Sequence, residues 1–228
     1  MCIRDRDTTG WFGYLGLGVN LIKNNKTITS ISGNLRAEYL QGKFRILLLT
    51  DYNLIRAGEE NFIDNGFQHF RLNYKINKRL TYEFFSQIQF NNQVRIKLRG
   101  LLGTGLRYRI LKKEKQKIFW GLSYMYEYDE IEIVDDEVTF FRDHRMSTYL
   151  SMTLYPFNEN FSISNTTYYQ PVLKEFSDVR LSSQTSLRFA ISKRLVFTSI
   201  FSITNDTRVP ENIPATYFSL KNGIRLEF

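Results

Sequence analysis

Charged residues in this chain recur at a spacing of two, and that spacing decides what chemistry they can do. Arg36 and Glu38, Arg107 and Arg109, and Arg225 and Glu227 are such pairs, each inside a stretch of alternating character. Side chains two apart on a strand leave it from the same face. The set that shares this face is Arg36, Arg45, Arg71, Lys75, Arg99, Arg107, Arg109, Arg145, Arg180, Arg188, Lys221 and Arg225. Against these stand Glu38, Asp51, Glu83, Glu127, Asp178 and Glu227, so basic groups exceed acidic ones by six. Two chemistries suit such a face. A ring of like charge selects anions by Coulomb energy, whereas an arginine–carboxylate network fills and stiffens a closed interior. Leu47, Leu49, Phe85, Leu101, Phe119 and Met125 share the parity and would narrow any bore. They favour the second chemistry.

Other reactive types are sparse. The run from Asp129 to Glu137 is the densest acidic stretch, but it lacks the glycine turn and ligand spacing of a calcium loop. It is expected to be solvated, with no metal and no cofactor. Asp135-Asp136 and Asp143-His144 share one connection, yet neighbouring strand residues point oppositely. His144 and Ser147 stand three apart and so also on opposite faces. His69, on the charged face, reads as a hydrogen-bonding residue. No nucleophile, base and orienting group can be assembled, unless a fold brings His144 against Asp64 or Asp206. The expectation is a protein that is not an enzyme, with a hydrolase as the remote rival. The net charge of +8 is dispersed over strands without a basic patch or helix, which argues against nucleic acid.

The elements that must position these residues are strands. Asp178 to Ile191 alternates Val179, Leu181, Leu187, Phe189 and Ile191 with Arg180, Gln184 and Arg188. About twelve such segments start near residues 13, 27, 43, 66, 80, 97, 118, 145, 160, 178, 195 and 217. Each reaches the roughly 9 to 11 tilted residues that cross a bilayer. Short connections at 41–42, 77–78, 156–159 and 192–193 alternate with longer ones at 56–65, 129–144, 170–177 and 205–216. A short connection at 24–25 and a longish one at 111–117 break this rule. The alternation predicts tight periplasmic turns and longer outer loops. On the apolar face aromatics gather at both strand ends: Tyr39, Phe44, Tyr82, Tyr108 and Trp120 at one, Tyr52, Phe90, Tyr128, Phe201 and Phe218 at the other. Amphipathic rings collect there in membrane barrels. Asn165 and Asn222 fall on the apolar face and mark places for a bulge or a register slip.

No stretch approaches the roughly 18 consecutive apolar residues of a spanning helix. A mean hydropathy of −0.32 is compatible with a membrane barrel, in which only alternate residues meet lipid. Cys2 alone makes no internal disulfide. Residues 1–7 lack an apolar export segment and read as a non-native or truncated start, native sequence beginning near Asp7 or Thr8 and the signal peptide lost. Residues 8–228 read as one domain. The last strand places Ile224, Leu226 and Phe228 on one face, ending in an aromatic. That arrangement resembles the signal read by the bacterial barrel assembly machinery.

Gly103-Thr-Gly-Leu-Arg-Tyr108, Thr166-Thr-Tyr-Tyr-Gln-Pro171, the stretch from Asp178 to Phe189 and the closing Asn222 to Phe228 resemble the YdiY-like family of salt-induced outer-membrane proteins, a domain of unknown function. The resemblance implies an outer-membrane barrel of unassigned role and transfers no catalytic residue. The expected fold is all-β: a transmembrane antiparallel up-and-down barrel of about twelve strands with both termini periplasmic. The expected partners are outer-membrane lipid and lipopolysaccharide in a Gram-negative envelope, together with the assembly machinery; the oligomeric state stays open. A narrow anion-preferring pore and a plugged structural barrel are the two readings of function. The rival from another class is a soluble ligand-binding β-barrel with the apolar set turned inward.

Overall fold

A computed structural model describes residues 9–23, 27–58, 60–133, 137–192 and 194–226, without the side chains of 225 and 226. The strands are β1 (Gly10–Lys23), β2 (Thr27–Gln41), β3 (Phe44–Ala57), β4 (Glu60–Lys75), β5 (Leu80–Asn91) and β6 (Ile96–Lys113). They continue as β7 (Gln116–Glu132), β8 (Val138–Leu154), β9 (Phe161–Pro171), β10 (Val179–Ala190), β11 (Leu195–Asp206) and β12 (Thr216–Leu226). Each is antiparallel to its chain neighbours in one 12-stranded meander, β1 through β12 in order. β1 and β12 come side by side, although no ladder joins them among the described residues. The sheet is curled into a barrel, because residues far apart in strand order meet inside it. Lys221 of β12 lies 3.0 Å from Asp51 of β3, and Arg99 of β6 lies 3.8 Å from Asp206 of β11.

Local chemistry makes the tight turns. Gly42 takes φ +56° between β2 and β3, a conformation that glycine adopts without the steric penalty of a Cβ. The Asn77 carboxamide oxygen accepts from the backbone N–H of Arg79 and Leu80 at 2.8 and 2.9 Å. The Ser192 hydroxyl accepts from Leu195 N–H at 3.0 Å. Such side chains replace a missing backbone partner at a chain reversal.

Three connections differ from the sequence reading. The expected long loop 56–65 is mostly strand, since β3 and β4 run on until only residues 58–59 separate them. The register shifts there between Ile55 and Arg56, and a bulge scrambles the alternation by which a strand is recognised. A bulge at Arg109/Leu111 had the same effect on the 111–117 connection, which is only residues 114–115. β8 likewise begins at Val138 rather than near residue 145. The 24–25 connection lies outside the described residues.

Burial is inverted relative to a soluble protein. Leu17, Val19 and Phe218 are 80, 77 and 72% exposed, whereas Arg145 is 0% and Glu83, Glu127 and Asp129 are each 1% exposed. The soluble-barrel alternative required the apolar set inside, and the structure turns it outward. Tyrosine and phenylalanine pairs mark both rims of this outward face, such as Phe44–Tyr74 at 4.9 Å and Phe201–Phe218 at 6.1 Å. At Asn165 and Asn222 the pairing is regular, without the bulge or slip expected there. Instead Asn165 donates to Ser183 and Thr185, both at 3.0 Å, and accepts from Thr167 at 3.1 Å. A polar group facing an apolar medium is tolerated when its hydrogen bonds close locally.

Candidate functional site

The inward faces of β6 to β11 carry a dense ionic cluster near the rim with the longer loops. Glu127 is its hub: it accepts from Arg145 Nε at 2.8 Å and from Arg180 Nη1 and Nη2 at 2.6 and 3.1 Å. Arg180 also donates to Asp206 at 2.7 Å. Arg99 makes a fork with Asp129, at 2.6 and 2.9 Å, the bidentate geometry that guanidinium and carboxylate share. Arg145 reaches Asp178 at 3.2 Å and the Gln170 carbonyl at 2.9 Å. From the loop after β11, Arg208 pairs with Asp143 and Asp178 and lies over the Phe141 ring at 4.4 Å. Loops and strands are thereby tied across the mouth.

A second cluster occupies the opposite half of the barrel's length, on β2 to β6. Glu38 binds Arg36 at 2.7 Å and Arg45 at 3.1 Å. Glu83 lies 3.4 Å from Arg107 and 3.9 Å from Arg71, and accepts from the Tyr149 hydroxyl at 2.6 Å. Tyr149 reaches it from β8 because Gly121, on the strand between, leaves room for the ring: a Cβ there would lie 2.1 Å from Tyr149 Cε1. Leu47, Phe85 and Met125 are buried between these groups.

Of the residues assigned to this face from sequence, Arg45, Arg71, Arg99, Arg107, Arg180, Glu83 and Glu127 are buried, and Arg36, Arg109 and Arg188 are half-buried. The Arg225 side chain and Glu227 lie outside the described residues. So do Phe228 and the Leu226 side chain, leaving Ile224 as the described member of the terminal signal, exposed on the outward face. Sequence reasoning missed Asp129, Asp143, Asp206 and Arg208 as partners in the outer cluster. Parity could have found Asp129, which continues the inward series from Glu127; its place in an acidic run made it look like loop.

The residues weighed for catalysis separate. Asp143 turns inward to Arg208. His144 turns outward, its Nδ1 against the Tyr124 hydroxyl. Ser147 is buried and accepts from Gln170 at 3.1 Å. Asp206 is taken by Arg180, and Asp64 lies against Tyr52. Asp135 and Asp136 lie outside the described residues.

The sequence matches a family described as "Protein of unknown function, DUF481" over residues 15–223. Among solved structures, the NanC porin superposes with a TM-score of 0.54 at 11% identity, covering 96% of this chain and 98% of that one. A bacterial polysaccharide outer membrane secretin superposes at 0.51 and 9% identity, covering 96% of this chain and 84% of its own. At such identities the likeness is one of fold, and the fold is porin-like. No curated protein matches the sequence.

Proposed function

The chain belongs to the DUF481 family, and from that premise we propose that it is a β-barrel of the bacterial outer membrane whose bore is held shut by arginine–carboxylate bridges. The observation that carries this reading is the inverted burial, with aliphatic and aromatic side chains outside and paired ions inside. Water on the outside would leave that apolar band unburied, whereas lipid makes it the favourable surface. In this reading the turns after β2, β4, β6, β8 and β10 and both ends of the meander face the periplasm, and the loops after β7, β9 and β11 face outward into lipopolysaccharide. The exposed Ile224 belongs to the strand that assembly machinery would read. The role is passive: the Asp143–His144 and Ser147 side chains diverge too far for one reaction centre.

Bridges between strands that are not sheet neighbours support the closed bore. Arg99–Asp206 joins β6 to β11 and Arg180–Glu127 joins β10 to β7. A narrow anion-preferring conduit is the second reading. It is favoured by the other cluster, where Arg36, Arg45, Arg71, Arg107 and Arg109 outnumber Glu38 and Glu83. Conductance in planar bilayers separates the two. A closed barrel gives rare openings, and removing the Arg99–Asp206 pair by R99A with D206A gives steady ones. Steady anion-selective current from the unaltered protein, weakened by R107E, would establish the conduit instead. Protein that refuses to fold in detergent or lipid would overturn the membrane reading altogether.

A further inference from the structure

The two rims of the barrel differ in the sign of their charge. The turns after β2, β4, β6, β8 and β10 (residues 42–43, 76–79, 114–115, 155–160 and 191–194) hold six lysines and arginines against two glutamates. The connections at the other rim (24–26, 58–59, 92–95, 133–137, 172–178 and 207–215) hold four against seven acids. Cations at that second rim are also answered at close range, Arg208 by Asp143 and Asp178, and Lys97 by Glu132 at 3.2 Å. At the turn rim Lys43, Lys78, Arg79, Lys115 and Arg194 are all exposed, and none of them pairs with a carboxylate among the described residues.

Side chains of these turns fold back onto the outer wall instead of over the bore. Lys43 Nζ lies 5.9 Å above the Tyr74 ring, and Arg79 Nη1 donates to the Tyr108 hydroxyl at 3.3 Å. Phe157, 75% exposed on the turn after β8, lies 5.7 Å from the Phe161 ring, whose ladder partner Phe189 is exposed on the outward face. Tyr74, Tyr108 and Phe161 end the apolar band at this rim, which in a bilayer is the level of the headgroups. At the other rim Arg142 also lies over a ring, that of Tyr128 at 5.9 Å, but Glu130 accepts from the same tyrosine's hydroxyl at 2.7 Å. An acid accompanies the cation there, whereas Lys43 and Arg79 bring uncompensated charge to the girdle.

We propose that the turn rim binds acidic phospholipids, their headgroups against Lys43, Lys78, Arg79 and Arg194 and their chains along the aromatic girdle below. The proposal rests on the membrane reading, which sets this rim against the leaflet on the periplasmic side. Cations laid on lipid-facing rings meet a headgroup beside the barrel, and a basic rim attracts acidic lipid over zwitterionic lipid by its excess charge.

The test is electron spin resonance of spin-labelled phosphatidylglycerol and phosphatidylcholine around the full chain in phosphatidylcholine bilayers. At low salt the acidic lipid should be enriched at least about twofold in the shell that touches protein. One cation near an acidic headgroup is worth roughly fivefold, and only one rim carries the excess. The enrichment should disappear at about 1 M salt, where the screening length falls to about 3 Å. Combining K43Q, K78Q, R79Q and R194Q should abolish it, and the smaller pair K78Q with R194Q, at exposed turn positions, should weaken it even if the larger set does not fold. Combining K23Q, K97Q, R142Q and K174Q at the other rim should leave it intact. A folded barrel with no such enrichment, enrichment that survives high salt, or equal loss from either set of changes overturns the proposal and leaves the membrane reading standing. Protein that does not enter bilayers overturns both.

Discussion

Neutralising Glu127 measures whether the bore is dry. Its carboxylate serves Arg145, which is 0% exposed, and Arg180, whose side chain is 8% exposed. Removing one partner of a buried ion pair costs about 3–5 kcal/mol, because the remaining charge has neither water nor counter-ion. Here Arg145 keeps Asp178 at 3.2 Å, and Arg180 keeps Asp206 at 2.7 Å and Asp129 at 3.8 Å. The loss for E127Q should therefore lie near the lower bound, about 3 kcal/mol, or roughly two powers of ten in the folding equilibrium. The control is E132Q, which breaks the Lys97–Glu132 pair at 3.2 Å, whose side chains are 43 and 31% exposed. A hydrated pair of that kind is worth about 0–1 kcal/mol. Urea unfolding of protein refolded into lipid vesicles, followed by tryptophan fluorescence, reads both. Raising the salt concentration should move the control and barely move E127Q, since screening acts through water. If E127Q costs less than about 1 kcal/mol and fades with salt like the control, the bore is wet and the closed-barrel reasoning fails.

Other regions give independent checks. Trp11 and Trp120 both project from the outward face, 71 and 43% exposed, so lipid chains brominated near the headgroup should quench their fluorescence and aqueous iodide should not. Stronger quenching by iodide than by bromine would place that face in water. At Gly121 a methyl group would meet the Tyr149 ring at 2.1 Å, so G121A should displace Tyr149 from Glu83 and cost about 1–3 kcal/mol by overpacking. The pair G121A with Y149A should be no less stable than Y149A alone. A double variant clearly weaker than Y149A would mean that the clash is not with this ring.

Much of the molecule was legible from alternation alone. Ten of the strand starts fall within a few residues of those expected, and the parity that assigned Arg71, Arg99, Arg107, Arg180, Glu83 and Glu127 to one face is the parity that buries them. The failures were at the rims. Bulges at Ile55/Arg56 and Arg109/Leu111 shift the period by one, so strand was read as loop. Asp129, Asp143 and Asp206 were read within the longer outer connections, although each lies on a strand. The excess of positive charge along the bore is correspondingly smaller near the outer rim, where these acids sit against Arg99, Arg180 and Arg208.

A period of two is a property of neighbouring residues, and it is enough to decide which side chains share a face and that one face is apolar. The sequence by itself therefore determined the strand order and the two faces. Which charges meet was a matter of curvature. Arg99 and Asp206 stand on strands five apart, and Glu83 and Tyr149 on strands three apart. They touch only because the sheet rolls until side chains from strands that are not neighbours come within reach of one another. Closing that distance turns scattered alternation into a cross-linked interior.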